Sequence, residues 1–250
     1  MSSVPHQVGC VMKGSLLELW RRQDVWILFL LMGVYTMVAL GARITGDGTL
    51  ASGTFMLNLG ISLAGYFANG FTALIAIRQF PDEIENRTIY PLLAKPLTRD
   101  SLLIGKWCAC FVGGSLAFLA FHLIALVVSP ASEPISGTLH LQYLLLQFLS
   151  LGWIAAAGLL LSLILPRSLG LGILLLMYAG GESLFQWGES REVALRYLLP
   201  RFGSLNVATR LTDGIPALKA AEVGSMILYA VAWALFCFLL ARRSLLRRSL

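Results

Sequence analysis

Long apolar runs alternate with short polar segments along most of this chain. A helix that crosses a bilayer needs about 20 predominantly apolar residues. Six stretches come close to or reach that length: 25–42, 54–77, 107–128, 141–165, 169–187 and 223–241. The pattern predicts an all-α integral membrane protein with six transmembrane helices, folded as a single domain over 1–250. Its second half has few polar breaks: a short turn in which Pro130 and Pro134 prevent a continuous helix joins the third and fourth runs, and Leu165-Pro166-Arg167-Ser168 forms a tight turn between the fourth and fifth. A longer mixed connection, 188–222, precedes the last run.

One segment departs from this pattern. Residues 80–106, FPDEIENRTIYPLLAKPLTRDSLLIGK, carry Asp82, Glu83, Glu85, Arg87, Lys95, Arg99, Asp100 and Lys106. That charge density excludes the segment from lipid. Its apolar positions Ile84, Ile89, Leu92, Leu93 and Leu97 recur at roughly helical spacing. The spacing predicts a short amphipathic surface helix, of the kind a membrane protein presents to a soluble partner, within a loop over 80–101. Residues 11–23 set Val11, Leu16, Leu19 and Trp20 against Lys13, Glu18, Arg21 and Arg22, which predicts an interfacial helix before the first span. No apolar core of signal-peptide length precedes Lys13, so no cleaved leader is expected.

Composition agrees with the pattern: 57% of residues are hydrophobic, 13% are charged and the mean hydropathy is +0.77. Six spans place both termini on one side. The start of the chain, the 78–106 segment, Arg167 and the tail hold thirteen of the 19 Lys and Arg residues. By the positive-inside rule the orientation is N-in and C-in. The net charge of +6 thus reads as anchoring to anionic membrane lipids. No nucleic-acid partner is expected, because the basic residues flank spans and form no single face.

Catalytic motifs are absent from the sequence. Gly105-Lys106 is followed by Trp107 and preceded by Asp100 where a phosphate-binding loop needs glycine. His6, His122 and His140 are far apart in sequence and belong to no protease motif. The cysteines 10, 108, 110 and 237 have no metal-ligand spacing and read as buried spectators. Polar residues within spans are costly and each has two readings. Glu182 is either a substrate or proton contact, or an acid near the outer headgroups paired with a nearby arginine. His122 is either a proton carrier or a packing residue. Asn58, Asn69, Gln142 and Gln147 suit interhelical hydrogen bonds or the lining of a path. The second span carries small residues at four-residue steps, Gly60, Ala64, Ala68, Thr72 and Ala76. This row reads either as a close helix-packing face or as the ordinary small-residue content of membrane helices.

The 80–106 segment resembles the first cytoplasmic loop of the ABC-2 type permeases, the membrane subunits of ABC exporters. That loop has an acidic run and a Thr, a Leu pair, a Pro, a basic residue and a Gly-Lys; this sequence has Glu83 and Glu85, Thr88, Leu92 and Leu93, Pro96, Arg99, and Gly105 with Lys106. Arg87 stands where the family usually has Gly, and Pro91 is unusual so close to the Leu pair. Permeases of the nitrous-oxide-reductase and cytochrome c maturation systems, relatives of similar size, are not distinguished by these residues.

The resemblance implies a homodimeric permease in a bacterial inner membrane, with separate cytoplasmic ABC ATPase subunits that carry ATP and Mg. No cofactor and no enzyme activity are implied in this chain. Asp82, Glu83, Ile84, Glu85, Arg87, Thr88, Ile89, Leu92 and Leu93 would form the coupling helix docked on the ATPase. Asn58, Ala64, Ala68, Asn69, His122 and Glu182 would serve a substrate path or helix packing, and the 188–222 loop would recruit any periplasmic partner. The rival reading is a non-transporting anchor or mechanical transmitter driven by the same kind of ATPase.

Overall fold

The computed structural model describes residues 4–21, 24–45, 53–82, 98–128, 137–188, 205–208, 210 and 215–247, with the backbone alone at 24–25, 42–45, 53–54 and 179–188. Among the described residues there are seven helices and no strand. They are α1 (Val4–Arg21), α2 (Asp24–Thr45), α3 (Gly53–Arg78), α4 (Arg99–Val128), α5 (Gly137–Ile164), α6 (Arg167–Gly188) and α7 (Ala220–Arg247).

Each of the six predicted apolar stretches falls on one helix, α2 to α7, with only Leu165 of the fourth stretch lying past the end of its helix. Four of these, α3, α4, α5 and α7, are each long and apolar enough to cross a membrane, and α1 with α2 passes that test only as a bent pair. In α6 the residues Arg167–Tyr178 form a shorter apolar helix. The protein is thus an all-α, multi-pass integral membrane protein with four to five candidate spans among the described residues.

Local chemistry sets the helix ends. Thr98 caps α4: its Oγ1 accepts the Ser101 backbone N–H at 3.2 Å, and Asp100 adds negative charge to the first turn. Pro166 cannot continue α5, which closes with Leu165 N–H donating to Leu161 O at 2.8 Å, and α6 begins as Gly170 N–H donates to Pro166 O at 3.0 Å. Glu222 reaches back from the first turn of α7 to accept the Lys219 backbone N–H at 3.2 Å, half of a capping box.

The core lies where α3 and α5 pack together and against α4. Ala64, Ala68, Thr72 and Ala76 are all fully buried, so the small-residue row is a packing face. A Cβ added at Gly158 of α5 would stand 2.6 Å from the Ala76 Cβ, and Gly114 of α4 faces Thr72 in the same way. Close approach matters in lipid, where helices gain little hydrophobic free energy by associating and depend on van der Waals contact and interhelical hydrogen bonds.

Helix α1 begins seven residues before the expected interfacial helix and packs lengthwise on α4. Its residues Gln7, Val11, Ser15 and Leu19, at four-residue steps, form its buried face. Val11 meets Gly105, where an added Cβ would stand 2.7 Å from the Val11 Cβ, and Leu19 lies against Gly113. The two helices therefore run parallel. Of the predicted apolar positions, Val11 and Leu19 are buried while Trp20 points outward.

Candidate coupling site

The charged segment enters and leaves the bundle through residues that the structure ties to other elements. Asp82, where the described chain stops, pairs with Arg167 at the start of α6, Nη1 to Oδ1 2.9 Å. On the far side of the segment, Asp100 takes Arg242 of α7 in a two-pronged pair, Nε–Oδ1 2.7 Å and Nη2–Oδ2 2.9 Å. Arg99 next to it donates to the backbone carbonyls of Leu245 and Leu246 at 3.0 and 3.2 Å. The last carbonyls of a helix have no partner within it, so an arginine there both satisfies them and complements the helix dipole. Thr98 N–H donates to Gln7 Oε1 of α1 at 3.5 Å. The two ends of the segment are thereby fastened to α1, α6 and α7.

Lys106 holds the same region from within. The sequence placed it among the charges of a surface segment, but it lies in the second turn of α4 and is fully buried. Its Nζ donates to Gln79 O at 3.0 Å and to Gln79 Oε1 at 3.2 Å, and stands 4.9 Å from the centre of the Phe80 ring. A buried ammonium is tolerated only with such partners. The contact clamps the end of α3 to the start of α4 across the base of the charged segment. A lysine followed by a long apolar run looks the same in sequence whether it faces solvent or a neighbouring helix turn, so the pattern gave no signal.

The segment's other predicted residues, Glu83, Ile84, Glu85, Arg87, Thr88, Ile89, Leu92 and Leu93, lie outside the described residues, as does most of the 188–222 loop. Glu182 falls on α6 where the backbone alone is described. The tail, counted above among the basic segments, also packs into the bundle: Leu245 is buried and Arg242 makes the pair with Asp100.

Polar residues in the spans divide by partner. Asn69 of α3 is buried, donates to the Tyr178 hydroxyl of α6 at 2.8 Å and accepts from Ser150 of α5 at 3.4 Å. It joins three helices. Gln142 of α5 exchanges two 3.0 Å bonds with the backbone of Leu218 and so pins the segment before α7. Asn58 stays within its own helix, accepting from Ser62. Gln147 is buried, and its Nε2 has no hydrogen-bond partner among the described residues. Asn58, Ser62 and Tyr66 follow one another along the accessible side of α3, opposite the small-residue row.

Two expectations need correction. His122 and His140 are 18 residues apart in the chain, yet their Nε2 atoms are 3.3 Å apart, because the end of α4 and the start of α5 pack side by side. Of the cysteines, Cys110 and Cys237 are buried and Cys108 half-buried, but Cys10 is exposed on α1, 3.8 Å from His6 Nε2.

No curated protein matches the chain. Residues 17–177 match the model of the ABC-2 family transporter proteins. The match takes in helices α2 to α5, the charged segment between α3 and α4, and the start of α6, so the chain belongs to the ABC-2 transporter family and is a membrane-embedded permease component of an ABC transporter.

Proposed function

We propose that this chain is the membrane subunit of an exporter that works as two copies with two separate ABC ATPase subunits, and that residues 82–93 carry the motion of the ATPases into the membrane. The attachment of both ends of the charged segment carries this reading. A displacement of the segment is delivered to α6 through Asp82–Arg167 and to α7 through Asp100–Arg242 and Arg99. It reaches α1 through Gln7 and the base of α3 through Lys106. Four elements outside α4 are thus moved by one lever, which suits a bistable assembly that switches as rigid parts.

The mixed charge of the segment suits the polar rim of a docking surface, and Ile84, Ile89 and Leu92 suit its apolar centre. In this arrangement six spans run N-in and C-in through a bacterial inner membrane, and ATP and Mg belong to the partner. The Asn58–Ser62–Tyr66 stripe on α3 suits a water-lined path for transport, which a purely mechanical role does not need. An accessible polar stripe on a membrane helix is stable against a second copy or along a water-lined path, and is costly against acyl chains. Any periplasmic partner would meet the 188–222 loop.

The test is co-purification from solubilised membranes. Tagged wild-type protein should retain an ATPase, and Glu83→Lys with Glu85→Lys should release it while leaving membrane insertion intact. Equal recovery of the ATPase by both proteins, or none by either, would overturn the proposal.

A further inference from the structure

Beyond the lever, the molecule carries an arrangement that the transport reading does not use. His122 of α4 and His140 of α5 face each other through their Nε2 atoms at 3.3 Å. Their ring centres are 5.0 Å apart. Phe118 stacks on His122 at 5.4 Å and Tyr143 lies 5.5 Å from it, which fixes the ring inside an aromatic wall. His122 is buried, whereas His140, near the start of α5, is half-buried.

We propose that His122 and His140 form a two-histidine site for a late first-row divalent cation such as zinc. Two nitrogens bound to one tetrahedral metal at about 2.0–2.1 Å each lie about 3.3 Å apart, which is the separation found here. Neutral imidazole is a ligand of choice for zinc, copper and nickel. The histidines come from two helices, so a shared ion would tie the ends of α4 and α5 that lie away from the charged segment.

No third His, Cys, Asp or Glu joins the pair among the described residues, and water can complete the coordination. Without metal, one ring donates its Nε2–H to the other. The His122 Nδ1 is buried and has no hydrogen-bond partner among the described residues, which favours a bare lone pair there and the proton at Nε2. Metal binding moves that proton to Nδ1, where no acceptor waits among the described residues, or out to solvent. This opposes binding and makes the site one that loads and unloads, unlike a permanent structural centre.

The experiment is calorimetric titration of zinc chloride into the full-length, tag-free protein in detergent after chelator treatment. One ion should bind per chain, and His140→Ala should weaken binding by more than about tenfold. His122→Gln should do the same, with tryptophan fluorescence reporting that both variants are folded. A second readout uses the wild type alone: zinc should protect His140, but not His6, from carbethoxylation mapped by mass spectrometry. The proposal is overturned by the absence of saturable binding, by equal affinity in His140→Ala, by unprotected His140, or by loss of binding in Cys10→Ser, which would place the ion at the His6–Cys10 pair.

Discussion

The contact between Gly158 and Ala76 gives the sharpest test of how the bundle is held. Alanine at 158 would bring its Cβ to 2.6 Å from the Ala76 Cβ. Carbon atoms pack best at roughly 3.5–4.0 Å, so the two helices would have to part by about 1 Å. Overpacking of that kind costs about 1–3 kcal/mol. Alanine also gains about 1 kcal/mol over glycine in helix propensity, which works in the opposite direction. Gly172 of α6 supplies the control, because nothing lies within 4 Å of a Cβ added there. Gly172→Ala collects the propensity gain without the clash, so the difference between the two variants isolates the packing cost. We expect Gly158→Ala to be less stable than Gly172→Ala by about 1–3 kcal/mol in reversible unfolding by SDS from mixed micelles. Ala76→Gly should rescue it, with a coupling energy of about 0.5–3 kcal/mol. If the two alanine variants unfold at the same SDS fraction, or Ala76→Gly gives no rescue, the close approach of α3 and α5 is not what holds them.

Other parts of the molecule give further expectations. Ala68→Leu inserts a side chain into a fully buried position and should destabilise the fold by about 1–3 kcal/mol or more in the same assay. Truncation after Ala241 removes the buried Leu245 along with the Arg242 pair; loss of that leucine alone is worth about 1.5–3 kcal/mol, and an unchanged unfolding midpoint would contradict the packed tail. Gln79→Leu removes a hydrogen-bond acceptor from the buried Lys106 ammonium and should cost about 1–3 kcal/mol, whereas Lys106→Met with Gln79→Leu should recover most of the loss. Asp100→Arg should leave insertion intact but lower transport-linked ATPase stimulation in reconstituted vesicles, and adding Arg242→Asp should restore it.

Much of this architecture was legible in the sequence because lipid imposes one strong rule. A backbone in hydrocarbon must satisfy its own hydrogen bonds, so a long apolar run is a helix. All six predicted runs lie in helices for that reason, and Pro166 ends α5 because a proline has no N–H to continue it. The charged segment was legible by the converse rule, and its residues also carried the family. The small-residue row on α3 was visible as a pattern, but its two readings could be separated only by Gly158 and Gly114 facing it from other helices.

The sequence by itself determined the class of the protein, its helices, the place of its charged segment and its family, because each depends on local composition or on a motif contiguous in the chain. Only the tertiary structure decided which residues far apart in sequence meet. It brought Arg167 to Asp82, Arg242 to Asp100, Asn69 to Tyr178 and His122 to His140, and it turned Lys106 inward to Gln79. Such pairs depend on the angle and rotation at which helices pack. Those follow from the fit of side chains across several helices at once, which no single stretch of sequence specifies.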